Sequence, residues 1–382
     1  MASHTIPQTH CALIVISTAS PPTLQTLPML KSGPGSAVVC ILAANVISYM
    51  RQIYNGERQY HFPTPPIPGA SVIGRIATVG PDATLLKPGM LVFEDCTIRG
   101  RDDATAVFLS GIHGGNSEVS ETLIRGEWKD SIYAEYAKVP LETREILGET
   151  KLFGKMGYEI ADPADIAALL VPYGGLRAND LKAGETVIVS PRLGLYGGAA
   201  VLVALAMGAS VIAMGRNMEA LERIKKRSER IETVPVPGDV LKDSKALRSS
   251  GAVDAFFDIS LFEAGKSTHI KSGILALKRR LTSLVGHLQP RTKPFVGFML
   301  SENTLVSHVP AVLHRSLTLK GKWMFEREDI KSMIKMVESG VLKLGESAGL
   351  RVAGTSGLED WDKGFTAAEK NAGLGKSTVI TP

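Results

Sequence analysis

The chain has 382 residues, 44% of them hydrophobic and 21% charged, which is material for about two domains with sizeable cores. Its 43 basic and 38 acidic residues are interleaved, so the net charge of +5 describes solvated faces, and no basic run interleaved with aromatics suggests nucleic-acid binding. Cys11, Cys40 and Cys96 are too widely spaced for a disulfide framework, no positive segment precedes the short apolar run Cys11–Ile16, and Gly208 interrupts the longest apolar tract, so a cytoplasmic protein without a membrane span is expected.

Residues 1–158 are strand-like and turn-rich. The runs Cys11–Ile16, Ala37–Leu42, Ser71–Val79 and Met90–Phe93 are separated by proline and glycine clusters at 63–69 and 87–89. Between Phe93 and Tyr133 lies a long polar segment carrying Arg99, Arg101, Asp102, Asp103, His113, Gly114, Gly115 and Trp128. Long ordered segments in compact domains are usually functional, so it either roofs a substrate cleft or forms a surface lobe, and His113 either approaches a ligand or is a surface histidine.

From residue 159 helices and strands alternate. Asp162–Pro163 reads as a helix start leading into Ile166–Val171. Strands are expected at Thr186–Val189, Ser210–Met214, Thr233–Val236, Asp254–Asp258, Leu281–Val285 and Leu317–Leu319, and six strands with helical crossovers make a doubly wound parallel sheet. A helix at Asp329–Glu338, glycine-punctuated segments and a second helix before Ser377–Ile380 follow; they add no independent domain and return to the first one. The expected organisation is therefore α/β: a discontinuous β-rich domain, 1–158 with 321–382, and a nucleotide-binding domain, 159–320.

The stretch from Thr186 to Asn217 carries most of the chemistry. A β-branched strand ends in a turn whose Gly194 and Gly197 lack side chains that would hold a diphosphate away, and the N–H groups of Leu195, Tyr196 and Gly197 open a helix, the usual anion cradle of dinucleotide-binding folds. The second strand ends at Met214-Gly215-Arg216-Asn217, where a site selective for NAD carries an acid. Arg216 either pairs with a 2′-phosphate, making the cofactor NADPH, or is an exposed turn residue. Gly286, after the expected fifth strand, would let the sheet edge approach the ribose or nicotinamide.

The order of β-rich domain, dinucleotide unit and short return segment resembles the medium-chain dehydrogenase/reductase superfamily. Asn45, Pro68-Gly69, Gly74 and Val79-Gly80 match its N-terminal pattern, and Lys87-Pro-Gly89, Tyr133-Ala-Glu-Tyr136, Leu181-Lys-Ala-Gly184 and Leu317-Thr-Leu-Lys-Gly321 follow in order. The resemblance implies a GroES-like β-rich catalytic domain, a Rossmann domain and a homodimer.

In zinc enzymes of that superfamily a Cys in the early turn and a His after the proline-glycine turn hold the metal; here those places read Ala44-Asn45 and Gly69-Ala70-Ser71, and Cys96 stands alone where a structural zinc lobe needs four cysteines. A zinc-free branch is implied, similar to quinone oxidoreductases and enoyl reductases. Without a Lewis acid, conjugate reduction of a small unsaturated carbonyl or quinone is easier than alcohol oxidation, because charge spreads into an enolate. The resemblance places Asn45 beside the nicotinamide, the alternative being an Asx turn, and a proton-donating tyrosine near Tyr60, with Tyr54 and Tyr49 competing for the role. Asn371 matches a C-terminal element that folds onto the cofactor. A carbonyl reductase and a non-catalytic NADPH-binding protein are the alternatives.

Overall fold

The computed structural model describes residues 6–115, 117–190, 194–260, 267–278, 296–297, 317–318, 320–373 and 375–382. The chain forms two compact units, Met1–Ala167 with Val337–Pro382, and Ala168–Met336.

The first unit is organised around Ser36–Asn45, a ten-residue strand buried along nearly its whole length. Such a strand has to be covered on both faces and paired on both edges. On one edge it pairs antiparallel with Val72–Val79, which continues to Leu91–Glu94 and Arg144–Ile146. On the other it pairs with Tyr136–Pro140 and, at Ala44 and Asn45, with Lys376–Ile380, which runs parallel to Arg351–Ser356. The seven-stranded sheet thus incorporates both ends of the discontinuous unit. Its core joins Val39, Ile41, Val72, Val92 and Tyr133 to Phe365 of the helix Trp361–Lys370.

The first expected strand is found at Thr9–Ile14, in a hairpin with Thr23–Pro28, and stops before Ile16, which is exposed. The segment after Phe93 folds into a small hairpin, Thr97–Arg99 with Val107–Leu109, and a helix, Glu118–Arg125. Ser117 accepts the Ser120 N–H at the start of that helix, and Ile98, Phe108 and Ile124 pack with Leu123 and Trp128 into a satellite core.

Among the described residues, the second unit holds a parallel sheet of five strands in the spatial order Ile231–Pro235, Ser210–Gly215, Thr186–Ser190, Ala255–Asp258, Val296–Gly297. In chain order this is third, second, first, fourth, fifth, a doubly wound sheet whose winding reverses between the first and fourth strands. The helix Leu195–Ala206 is apolar on every side because Ala199, Ala200, Val201, Val203 and Ala204 are all buried.

Three expectations about this unit need correction or fall elsewhere. The helix begun at Ile166 does not stop at Val171 but continues through Pro172 to Ala178, since Leu169, Leu170, Tyr173 and Leu176 are buried and packing outweighs the proline penalty. Gly174 in that helix is needed for close approach: a Cβ there would lie 2.6 Å from the Met324 carbonyl. Leu317 and Thr318 are not in a strand; Leu317 packs against the core of the unit, so its apolar character reflects burial and not pairing. The expected strand Leu281–Val285 and Gly286 lie outside the described residues, and among the described residues Val296–Gly297 pairs next to Ala255–Asp258.

Candidate active site

In the second unit the parallel register Thr186↔Ser210 through Val189↔Ala213 brings the carboxyl ends of the first two strands side by side. Gly194 and Arg216 follow those ends, so the glycine turn and the guanidinium share one edge of the sheet. Gly194, extended at φ −76° and ψ −171°, is the N-cap of Leu195–Ala206 and supplies no side-chain hydrogen bond. Its carbonyl accepts the Gly198 N–H at 2.9 Å, so Leu195, Tyr196 and Gly197 form the first turn, whose N–H groups point out of the helix start. Their partial positive charge, at the edge where the winding reverses, fits a diphosphate.

Arg216 is exposed and has no hydrogen bond or ion pair among the described residues. Asn217, named with it from the sequence, acts locally, since its Oδ1 accepts the Ala220 N–H at 3.0 Å and caps the helix Met218–Lys225.

The same edge holds a buried polar group that sequence reasoning missed. Asp258, register partner of Ser190, accepts the Ser260 hydroxyl at 2.7 Å and lies 3.1 Å from His269 Nε2. The available signal was an acidic residue closing a strand at the point where the sheet reverses.

In the first unit Asn45 ends the central strand and is 5% exposed. Its N–H donates to the Ser71 carbonyl and its own carbonyl accepts the Tyr133 hydroxyl, both at 2.9 Å. Tyr54 is fully buried; its hydroxyl donates to the Gly111 carbonyl at 3.0 Å and accepts the Gly69 N–H at 3.1 Å, and burial pushes its pKa far up. Tyr49 carries the Arg58 guanidinium 4.0 Å from its ring centre.

Tyr60 is half-buried and lines a cavity of about 370 Å³. One wall of the cavity is Tyr60–Thr64; the other is formed by Gly114 with Glu121, Ile124 and Arg125 of the helix Glu118–Arg125. The Tyr60 ring stands edge-on to His113, with centroids 5.1 Å apart. His113 Nδ1 accepts the Gly115 N–H at 3.0 Å, and burial, with His61 nearby, holds its pKa below the usual value. A neutral ring so held carries its proton on Nε2.

The structure therefore brings Tyr60 and the segment after Phe93 to one cavity, sets His113 against the Tyr60 ring, and keeps the Tyr54 hydroxyl inside the core. Asn371 closes the helix Trp361–Lys370, its Nδ2 donating to the Ala367 carbonyl at 2.9 Å.

At the places where zinc enzymes carry their ligands, Ala44 is 0% and Ala70 is 2% exposed, and both belong to the hydrophobic core. Ser71 donates to Asp95 at 2.6 Å, and the other oxygen of Asp95 accepts the Thr97 N–H at 2.7 Å. Burial pushes the Cys96 thiol well above its usual pKa, which disfavours the thiolate a metal requires. Among the described residues no group of three or more His, Cys, Asp or Glu side chains could hold a metal ion, and no helix is long and apolar enough to cross a membrane.

Residues 33–144 match the alcohol dehydrogenase GroES-like domain. An acryloyl-coenzyme A reductase of Metallosphaera sedula is 25% identical over 326 residues, 83% of this chain and 84% of that protein. Among solved structures, an NAD-dependent alcohol dehydrogenase superposes with a TM-score of 0.73 at 19% identity, covering 97% of this chain and 99% of that one. A Sinorhizobium meliloti protein classed as a zinc-binding dehydrogenase and bound to NADP gives 0.71 at 15% identity, covering 98% and 100%. At such identities the structural likenesses establish the fold. A GroES-like unit joined to a doubly wound dinucleotide-binding unit defines a class of oxidoreductases. Residues 33–144 thus carry a GroES-like domain of the alcohol dehydrogenase type, the chain has the fold of medium-chain dehydrogenases/reductases, and the reductase relative fits an enoyl-reductase-like branch.

Proposed function

We propose that the protein is a zinc-independent, NADPH-dependent reductase of small α,β-unsaturated carbonyl compounds or quinones. The observation that carries the reading is that Ala44-Asn45 and Gly69-Ala70-Ser71, with Ala44 and Ala70 buried, stand where a metal-dependent relative carries its Cys and His ligands. With apolar core at those places, charge developing on a carbonyl oxygen has to be met by hydrogen-bond donors, and a conjugated acceptor asks least of them. The acryloyl-coenzyme A reductase relative acts on a substrate of that kind.

The chain's residues fit the cofactor: the first-turn N–H groups after Gly194 would hold the diphosphate, and Arg216 would pair with the 2′-phosphate. When bound, the nicotinamide supplies the hydride. Tyr60, half-buried on the cavity, would deliver the proton, and the Asn45 amide would orient the acceptor or the cofactor amide. By the same resemblance the enzyme is a homodimer.

The test is NADPH oxidation by stopped flow against a panel of enones, quinones and saturated ketones, with product identification. Reduction of the C=C bond without added metal is expected. Turnover confined to saturated ketones would make the protein a carbonyl reductase, and NADPH binding without turnover of any compound would make it non-catalytic.

A further inference from the structure

The cavity beside Tyr60 is not apolar, and its chemistry narrows the substrate. We propose that it receives the anionic end of the unsaturated substrate and that Arg125 is the specificity-determining cation; this rests on the reductase reading. A volume of about 370 Å³ lies within the range of small-molecule sites. Its lining includes Ser17, Thr18, Thr64, His61 and Arg125 alongside Tyr60, an array rich in hydrogen-bond donors.

Arg125 is held loosely enough to serve a ligand. Its contact with Glu121, one turn earlier, is a single approach of 3.5 Å between side chains that are 68% and 51% exposed. A long, exposed pair of this kind contributes little to stability, whereas a carboxylate or phosphate entering the cavity could take two parallel N–H donors from the same guanidinium. Glu121 is then the internal competitor, exchanged for the ligand's anion.

Besides Glu121 and Tyr60, the other ionisable group lining the space is His61, which is exposed; His113, whose pKa burial lowers, packs against the Tyr60 ring and does not line it. That leaves Arg125 as the permanent cation of the lining. It stands on the helix Glu118–Arg125, so the segment inserted after Phe93 brings the charge to the wall opposite Tyr60.

The experiment compares a 4-oxo-2-alkenoic acid with its methyl ester, and with an enone ending in phosphate, on the full-length protein. The wild type is expected to favour the charged compounds in kcat/KM, with the better of the two anions identifying carboxylate or phosphate as the native group. Arg125→Gln should raise KM for the charged compounds about tenfold, leaving kcat, the ester and the KM for NADPH unchanged. Glu121→Gln should lower KM for the acid, a gain that a merely structural pair would not produce. Equal kcat/KM for acid and ester in the wild type, or equal loss on both in Arg125→Gln, overturns the proposal. Charge-selective binding by calorimetry without turnover of any of the three supports the anion pocket and overturns the reductase reading alone.

Discussion

The Tyr54 hydroxyl accepts the Gly69 N–H at 3.1 Å, fastening the end of a short helix to the turn that opens the strand Val72–Val79. Gly69 has φ +143°, and a Cβ there would lie 2.7 Å from the Ile132 nitrogen, so the turn depends on both residues. Tyr54→Phe leaves a buried N–H and the Gly111 carbonyl without this partner and should cost about 1–3 kcal/mol in thermal or urea unfolding, with NADPH affinity unchanged. Tyr60→Phe should do the reverse, lowering kcat with little change in stability. If Tyr54→Phe unfolds like the wild type while kcat collapses, the two roles are exchanged.

Arg216→Glu is expected to weaken NADPH and spare NADH. A charge-assisted contact to phosphate contributes about 1.5–3 kcal/mol, and the introduced acid adds repulsion. Titration of both cofactors by protein fluorescence reads the difference; equal loss for both would place Arg216 outside the 2′-phosphate site.

Elemental analysis of the purified protein should show no stoichiometric zinc, and a chelator should leave activity intact. The places where zinc enzymes carry their Cys and His ligands hold Ala44-Asn45 and Gly69-Ala70, of which Ala44, Asn45 and Ala70 are buried. One tightly held zinc per chain whose removal abolishes turnover would sink the zinc-independent reading.

The doubly wound sheet was legible because Thr186–Ser190, Ser210–Gly215 and Ile231–Pro235 carry β-branched residues, Ala255–Asp258 carries aromatic ones, and the glycine turn at Gly194 punctuates the first crossover. Local chemistry was harder to separate from function. Asn217 lies three residues before Ala220 with Glu219 in the first turn, which is an N-cap signature, and capping is what its side chain does. Asn371 likewise spends its amide on a helix end. The segment after Phe93 stood out as extra, but its helix was not read, although Ser117 and Ser120 mark the start and Leu123 and Ile124 the apolar face. Tyr49, Tyr54 and Tyr60 could not be separated in one dimension, because what distinguishes them is burial: the Tyr54 hydroxyl is enclosed by backbone partners, and Tyr60 borders a cavity.

Stability should depend on pH through Asp165, whose carboxyl is pushed by burial from 3.8 up to about 7. One of its oxygens has no hydrogen-bond partner. The folded state keeps the proton over a range in which the unfolded chain releases it, so this contribution is fully present below 3.8 and is lost as pH rises through 7. Asp165→Asn stays neutral throughout. Its stability relative to wild type should therefore climb between those two values, by at most about 1.4 kcal/mol per pH unit, and level off above. A difference that is flat over the same interval would show that Asp165 titrates normally.

The segment from Arg99 to Gly126 is the largest single element whose removal tests the cavity. Its satellite core of Ile98, Phe108 and Ile124 is small, and the strand Leu91–Glu94 that precedes it pairs on both edges without it. A tight linker in its place would remove the wall bearing Glu121, Ile124 and Arg125 while leaving Tyr60–Thr64 in the chain. The expected outcome is a raised KM or lowered kcat on the best substrate with NADPH affinity unchanged, since the cradle after Gly194 lies in the other unit. The shortened chain also loses Gly111, the acceptor of the Tyr54 hydroxyl. Deletion and Tyr54→Phe share that hydrogen bond, so combining them should cost less stability than the sum of the two measured separately. Unchanged kinetics in a folded deletion variant would show that the segment is no part of the site, and strict additivity with Tyr54→Phe would show that the Gly111 contact does not hold it in place.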